Sequence, residues 1–130
     1  MKKYRVLFIL ILLGSFTSLL SAQSLSFCEK LDGAGNPVNA NSVFTVGKNG
    51  SPVVFYFVPA QSINAAVSFD VYAVNEGKEV FRSTLKQAGN GAKPVSKQMT
   101  FYDAGHYRIY VFDENDKQLA KGDLTIRRGN

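Results

Sequence analysis

Residues 100–113 read TFYDAGHYRIYVFD, and no other part of the sequence says more about the fold class. From Tyr107 onward, large apolar side chains such as Tyr107 and Ile109 occupy every second position. A period of two predicts a strand with one buried face, so these side chains are expected to point inward. Asp103 and Gly105 stand directly before the alternation, and they predict a tight corner that leads into this strand.

The rest of the chain also predicts strands separated by turns. Residues 67–74 alternate clearly, whereas residues 52–58 are apolar on both phases and predict a strand covered on both faces. The pair Asn49 and Gly50 is typical of a tight hairpin turn. Residues 86–94 predict a long loop, and no helical period appears after residue 22. The pattern predicts an all-β fold, a β-sandwich of about seven to eight strands.

Residues 53–126 resemble a bacterial extracytoplasmic immunoglobulin-like or fibronectin-type-III-like β-sandwich domain. The resemblance lies in the motif formed by Asp103, Gly105 and Tyr107, which is similar to a tyrosine corner, and in the alternating strand that follows it. It implies a single antiparallel sandwich in which the Tyr107 hydroxyl bonds to backbone near the corner. It also implies binding or scaffolding with a polypeptide or glycan partner, and it transfers no catalytic residue.

The first 22 residues have the composition of a secretory signal peptide. A basic start that includes Lys2, Lys3 and Arg5 precedes an apolar run at residues 6–13, and small residues end at Ala22. The alternative is a retained membrane anchor, but a span needs roughly 20 apolar residues. We therefore expect cleavage after Ala22, export to the periplasm or the extracellular space, and no membrane span afterwards.

Cleavage would leave one domain, at residues 23–130, that is only weakly basic. The whole chain has 15 Lys and Arg, 10 Asp and Glu, and a formal charge of +5. Without the three basic residues of the signal peptide, twelve Lys and Arg remain against ten acidic residues, a formal charge of +2. A basic stripe is the usual footprint of nucleic-acid binding, and none is present, so we expect no nucleic-acid partner.

The residues that could carry chemistry are few, so we expect no enzyme, no metal site and no cofactor. His106 is the only histidine and falls on the outward phase of its strand. The acidic residues 113–116 predict a polar hairpin turn and depart from the calcium-binding loop pattern. Cys28 is the only cysteine, which excludes an intrachain disulfide. A free or half-buried thiol is expected there, with lipidation or an intermolecular disulfide as alternatives.

One outward surface is the candidate binding site. Tyr72 lies on the outward phase of one predicted strand, and Arg108, Tyr110 and Phe112 lie on the outward phase of another. The immunoglobulin-like resemblance makes these two strands neighbours, which would bring the side chains into one patch. Aromatic and Arg residues are enriched at interface hot spots. The alternative is that a loop, or the strand at residues 79–85, covers the patch.

The sequence therefore supports a secreted or periplasmic, non-enzymatic domain that binds a protein partner or assembles with copies of itself in the cell envelope. The alternative is a carbohydrate-binding module that stacks sugars on exposed tyrosines, with a glycan as partner. Sugar stacking favours exposed rings flanked by polar groups, whereas a protein interface favours mixed aliphatic and aromatic cover. Val74 and Phe112 beside the tyrosines favour protein.

Overall fold

The computed structural model describes residues 24–129, so the predicted signal peptide at residues 1–22 lies outside the described residues. Within this range all regular secondary structure is β-strand. No helix in the described residues is long and apolar enough to cross a membrane. The ten strands are β1 (Ser24–Cys28), β2 (Lys30–Leu31), β3 (Pro37–Val38), β4 (Val43–Val46), β5 (Ser51–Val58), β6 (Ala66–Asn75), β7 (Lys78–Ala88), β8 (Val95–Phe101), β9 (Gly105–Phe112) and β10 (Gln118–Arg128).

The strands form two facing sheets and a short hairpin, in a sandwich-like arrangement. One sheet has the order β1-β5-β8, the other has the order β4-β10-β9-β6-β7, and β2 pairs with β3. All of these pairs are antiparallel except that of β4 with β10, which is parallel. The all-β prediction is confirmed, with two corrections. The strands number ten because β2 and β3 are too short to recognise in the sequence. The sandwich is also not wholly antiparallel as expected, because the chain changes sheets between β1 and β4 and β4 then runs parallel beside β10.

The core lies between the two sheets and centres on Phe55 of β5. Its ring centroid lies 5.6 Å from that of Phe27, 5.7 Å from Phe69 and 6.3 Å from Phe101. These rings come from β1, β6 and β8, so one residue joins strands of both sheets. Burying a side chain of this size contributes roughly 1.5–3 kcal/mol, and this cluster therefore holds the sheets together.

The corner before β9 is tied to the core through Tyr107. Its hydroxyl donates a 2.9 Å hydrogen bond to the backbone carbonyl oxygen of Asp103, as expected from the sequence. The ring is 6% exposed and packs edge-on against Phe101, with centroids 4.9 Å apart. Burial raises the pKa of the Tyr107 hydroxyl. Gly105 begins β9 with a φ of 152°.

The turn at Asn49 and Gly50 is not a hairpin turn, so that prediction is wrong. It follows β4 in the five-stranded sheet and precedes β5 in the three-stranded sheet. The Gly50 amide donates to the Gly47 carbonyl oxygen at 3.2 Å, and Gly50 has a φ of 82°. The turn residues set only the local change of direction. Core packing decides which sheet the next strand joins.

Two further segments differ from the sequence prediction. β7 extends to Ala88, so the predicted loop at residues 86–94 is shorter than expected. Gly91 of this loop forms an isolated bridge with Ile63, which lies between β5 and β6. Cys28 has a free thiol, as expected, but the residue is fully buried, and the Glu29 amide beside it donates to the Val38 carbonyl oxygen of the β2–β3 hairpin at 3.0 Å. Burial raises the pKa of the Cys28 thiol. A buried and protonated thiol is a poor nucleophile.

Candidate functional site

The predicted surface residues lie together on the outward face of the five-stranded sheet. β6 and β9 are neighbours, and Tyr72 stands directly opposite Arg108. Tyr110 and Phe112 follow on the same side of β9, because side chains alternate along a strand. The inward residues of the same strands are buried in the core, so the register leaves these side chains only the outer face.

Four rings form a continuous run across this face, which we call the aromatic face: Phe81, Tyr72, Tyr110 and Phe112. Phe81 and Tyr72 meet edge-on with centroids 5.6 Å apart, and Tyr72 and Tyr110 meet edge-on at 5.5 Å. Tyr110 and Phe112 are closer to parallel, with 29° between their planes and 6.2 Å between centroids. Edge-to-face and offset pairs are the favoured geometries of aromatic rings, so the run is a packed array.

An ion cluster on Arg108 adjoins the rings. The Arg108 Nη1 atom lies 2.7 Å from Oε2 of Glu79, and its Nε atom lies 2.7 Å from Oδ1 of Asp123. The Tyr110 hydroxyl donates to the same Glu79 oxygen at 2.5 Å. The Arg108 and Glu79 side chains are 30% and 28% exposed, so the cluster is partly shielded from water. Glu79 thereby links β7 to β9 across β6.

The cluster changes the acidity of its members. The hydrogen bonds from Arg108 to Asp123 and Glu79 raise the pKa of Arg108 further above its usual range. Burial, together with the neighbouring Glu79 carboxylate, raises the pKa of Tyr110 to about 12. Burial alone would raise the pKa of Glu79, but hydrogen bonds from Tyr110 and Arg108 outweigh it, and that pKa is lowered. At neutral pH Arg108 is therefore a cation, Glu79 a carboxylate and Tyr110 a neutral phenol.

Three members of this surface were not predicted from the sequence: Glu79, Phe81 and Asp123. The signal for the first two was the turn between β6 and β7. Its two central residues, Glu76 and Gly77, have φ angles of 52° and 81°, as a two-residue hairpin of type I′ requires. A two-residue turn fixes the register, which places Phe81 opposite Tyr72.

β7 lies beside β6 and extends the aromatic face instead of covering it. Phe81 is 54% exposed, and the neighbouring rings of Tyr72, Tyr110 and Phe112 are half-buried. The strand at residues 79–85, which was the alternative cover for the patch, is therefore part of the aromatic face. What does reach over the rings is the Glu79 side chain, through its contacts with Arg108 and Tyr110.

The remaining candidate residues have local partners. The His106 Nδ1 atom lies 3.1 Å from the Thr125 hydroxyl oxygen on the outward side of the sheet. The Asp113 carboxylate accepts hydrogen bonds from the backbone amides of Asn115 and Lys117, both at 2.9 Å, which shapes the turn before β10. Among residues 24–129, no three His, Cys, Asp or Glu side chains are grouped so that they could hold a metal ion.

Known proteins with similarity to this chain assign it to no family. No family model matches the chain. Copine family protein 2 of Caenorhabditis elegans is 33% identical over 87 residues, which cover 65% of this chain and 1% of that protein. The chain thus spans about 1% of the length of this curated relative, too small a share to assign the chain to its family.

Three solved structures are similar at low identity. Alkylpurine DNA glycosylase AlkC of Pseudomonas fluorescens, bound to DNA containing an abasic site analogue, is 12% identical with a TM-score of 0.49, over 79% of this chain and 30% of that chain. A Niemann–Pick type C2 protein from the Japanese carpenter ant is 13% identical with a TM-score of 0.47, over 65% and 79%. The CARDB domain of the PF1109 protein from Pyrococcus furiosus, in complex with di-metal ions, is 15% identical with a TM-score of 0.35, over 82% and 96%. Likenesses of this strength assign no function.

Proposed function

We propose that this chain is an exported, non-enzymatic binding module of immunoglobulin-like fold that associates with a protein partner through the aromatic face. The observation that carries the proposal is the run of four contacting rings beside a paired Arg108 on an outward sheet face. The inward residues already fix the register of these strands, so folding alone does not require large rings on the outside.

The strand order supports the immunoglobulin-like part of the proposal. A sheet of order β1-β5-β8 faces one in which β6, β9 and β10 are adjacent. An immunoglobulin-type sandwich likewise separates its first, second and fifth strands from its third, sixth and seventh, although its fourth strand joins the first group whereas β7 lies beside β6. The hydrogen bond from Tyr107 to backbone four residues upstream, at the start of β9, agrees with a tyrosine corner.

The composition of the face supports a binding role. Tyr and Arg dominate the few residues that carry most of the energy in protein interfaces. An aromatic side chain buries roughly 150–250 Å² when it is fully covered, so a partner over several rings would remove a large apolar area from water. The Glu79 and Asp123 carboxylates hold Arg108 in place before a partner arrives, which lowers the ordering cost of association.

The ring geometry favours a protein over a sugar. A pyranose stacks on a flat, accessible ring face, whereas two of the three ring contacts here are edge-on, at 73° and 89°. Such rings present a ridged surface that suits the interdigitating side chains of a protein. The near-parallel pair of Tyr110 and Phe112 is the part of the face that a sugar would use, and it keeps the carbohydrate-binding module as the second candidate.

The location that we propose rests on the basic and apolar order of the first 22 residues. Export to the periplasm or the extracellular space would expose the domain to envelope proteins and to glycans. A pull-down from envelope extract of the source organism is therefore the appropriate test. The bait is the wild-type domain, compared with a double variant that carries Tyr110→Ala and Phe112→Ser.

We expect the wild type to retain a specific protein that the double variant releases, with affinity weakened by a few kcal/mol, as for hot-spot truncations. Tyr102→Ser is the matched control, because Tyr102 is an exposed aromatic residue away from this face. Circular dichroism verifies that all three domains are folded. Equal retention by all three would overturn the proposal, and binding of a polysaccharide that the double variant loses would favour the carbohydrate-binding module.

A further inference from the structure

β7 is an exposed edge strand with unusual apolar residues. It spans eleven residues and ends the sheet order β4-β10-β9-β6-β7, with β6 as its neighbour. Val80 and Phe81 lie side by side on it, 55% and 54% exposed, on opposite faces of the strand. The free backbone groups of a long edge strand are a template for another strand. Charged side chains and bulges usually protect such edges, and β7 carries both, but two large apolar side chains remain exposed on it.

The bulge in β7 gives this edge a symmetric pattern. Pairing with β6 shifts by one residue at Arg82, so that Tyr72 is opposite Phe81 while Val71 is opposite Ser83. The outward residues are consequently Glu79, Phe81, Thr84 and Lys86, which stand opposite Val74, Tyr72, Asp70 and Ser68. Their spacing is the same when read in either direction from the point midway between Arg82 and Ser83.

We propose that a second copy of this chain pairs antiparallel with β7, about a twofold axis that passes between Arg82 and Ser83. In this register outward residues meet outward residues over the whole strand. Glu79 stands opposite Lys86 of the second copy, and Phe81 stands opposite Thr84 of the second copy. By the twofold symmetry each of these pairs occurs twice, so two Glu–Lys pairs flank the axis, each with a Glu79 carboxylate that also bonds to Arg108 and Tyr110.

The inward side fits the same register. Val80 stands opposite Leu85 of the second copy, where two aliphatic side chains meet across the strands, a pairing that stabilises sheets. A shift of one residue either way places outward residues opposite inward ones. One of these shifts also sets Arg82 opposite Arg82, and directly opposed like charges are unfavourable. The bulge therefore selects one register.

The paired sheets form one continuous sheet. Because antiparallel neighbours within a sheet are related by an axis perpendicular to it, the aromatic faces of both copies lie on the same side. Pairing uses the strand edge and leaves Tyr72, Tyr110 and Phe112 uncovered. The inference therefore goes beyond the proposed function and does not depend on it.

Sedimentation equilibrium of the exported domain over a wide range of concentrations tests the pairing. The wild type is expected to move from one to two copies as its concentration rises. Lys86→Glu sets two carboxylates opposite each other, and Val80→Lys places a charge in the aliphatic pair. Each is expected to weaken dimerisation about tenfold or more. Lys48→Glu, the same charge change in the turn after β4, is the control and should dimerise like the wild type.

Cross-linking tests the register itself. Lys78 stands opposite Gln87 of the second copy, so a mixture of Lys78→Cys and Gln87→Cys chains should form an intermolecular disulfide. Either variant alone should not, because its two cysteines would lie at opposite ends of the paired strands, about 30 Å apart. Cys28 is fully buried and stays out of the reaction.

A wild type that remains monomeric at every concentration would overturn the inference. So would a dimer that Lys86→Glu and Val80→Lys leave unchanged, or equal cross-linking of the mixture and the single variants. Both substituted positions are exposed in the monomer, and circular dichroism verifies that the variants fold. The double variant Tyr110→Ala and Phe112→Ser should still dimerise, which separates this test from that of the proposed function.

Discussion

Tyr107 holds the corner before β9 through both its ring and its hydroxyl. The ring is buried against Phe101, and the hydroxyl donates to the Asp103 carbonyl oxygen. Tyr107→Phe keeps the ring and removes the hydrogen bond, so we expect a loss of about 1 kcal/mol in the free energy of unfolding. Urea denaturation measures it, with Tyr102→Phe as the control at an exposed tyrosine. Equal midpoints for both variants would show that the bond contributes nothing.

Gly50 is required at its turn for two reasons. Its φ of 82° is left-handed, and a Cβ atom there would lie 2.7 Å from the Tyr102 ring and 3.0 Å from the Phe101 carbonyl oxygen. Gly50→Ala should therefore cost about 1–2 kcal/mol from the backbone alone, with the close contacts in addition. Gly47→Ala in the same turn meets no atom within 4 Å and should be nearly neutral. Equal thermal midpoints for the two variants would contradict this.

At the scale of the elements, Glu79 fastens β7 to β9, and the sign of its pKa shift predicts how this attachment depends on pH. The pKa of Glu79 is lowered from its ordinary value of 4.5 in the folded state. The attachment therefore contributes fully above that value and is lost as the pH falls through the lowered pKa. At neutral pH the free energy of unfolding of the wild type should exceed that of Glu79→Gln by on the order of 1 kcal/mol, as for a partly exposed ion pair.

The difference in stability between wild type and Glu79→Gln should then shrink as the pH is lowered below 4.5. Denaturation curves at a series of pH values give this difference. Glu114→Gln, which makes the same change in the exposed turn before β10, is the matched control. A difference that stays constant down to strongly acidic pH would mean that the charge of Glu79 does not contribute to the attachment.

The elements also show what the sequence could and could not predict. Alternation at residues 67–74 and from Tyr107 onward identified β6 and β9 and their outward faces, because a buried face imposes a period of two. The bulge at Arg82 was not predicted, since no residue pattern marks where a ladder gains an extra residue. Asn49 and Gly50 misled the prediction because a turn signal is local, whereas partner choice depends on distant strands.

At the scale of the whole molecule, the sequence predicted a sandwich but not how unequal its sheets are. Three strands face five, so the smaller sheet cannot cover the whole inner side of the larger one. Val80 falls on the inward phase of β7, the edge strand of the larger sheet, and is still 55% exposed. Such a residue is indistinguishable from a core valine in the sequence, because its exposure depends on the width of the opposite sheet.

The parallel pairing of β4 with β10 has a mechanical consequence. When a parallel pair is pulled from the beginning of one strand and the end of the other, the strands slide and their hydrogen bonds share the load. Traction applied through residue 42, directly before β4, and residue 129 acts on β4 and β10 in this direction, with Val43 opposite Thr125 and Val46 opposite Arg128. The domain should therefore resist stretching along the chain.

Traction through Ala66 and Ala88 should be resisted far less. These two residues lie opposite each other at the open end of the β6–β7 hairpin, so the bonds there would peel apart one after another. Optical-tweezers measurements with handles at each pair of positions would compare the two directions. We expect a clearly higher rupture force for the first pair, and equal forces would contradict this. A domain with this anisotropy would hold under tension along its chain and yield when pulled across its outer hairpin.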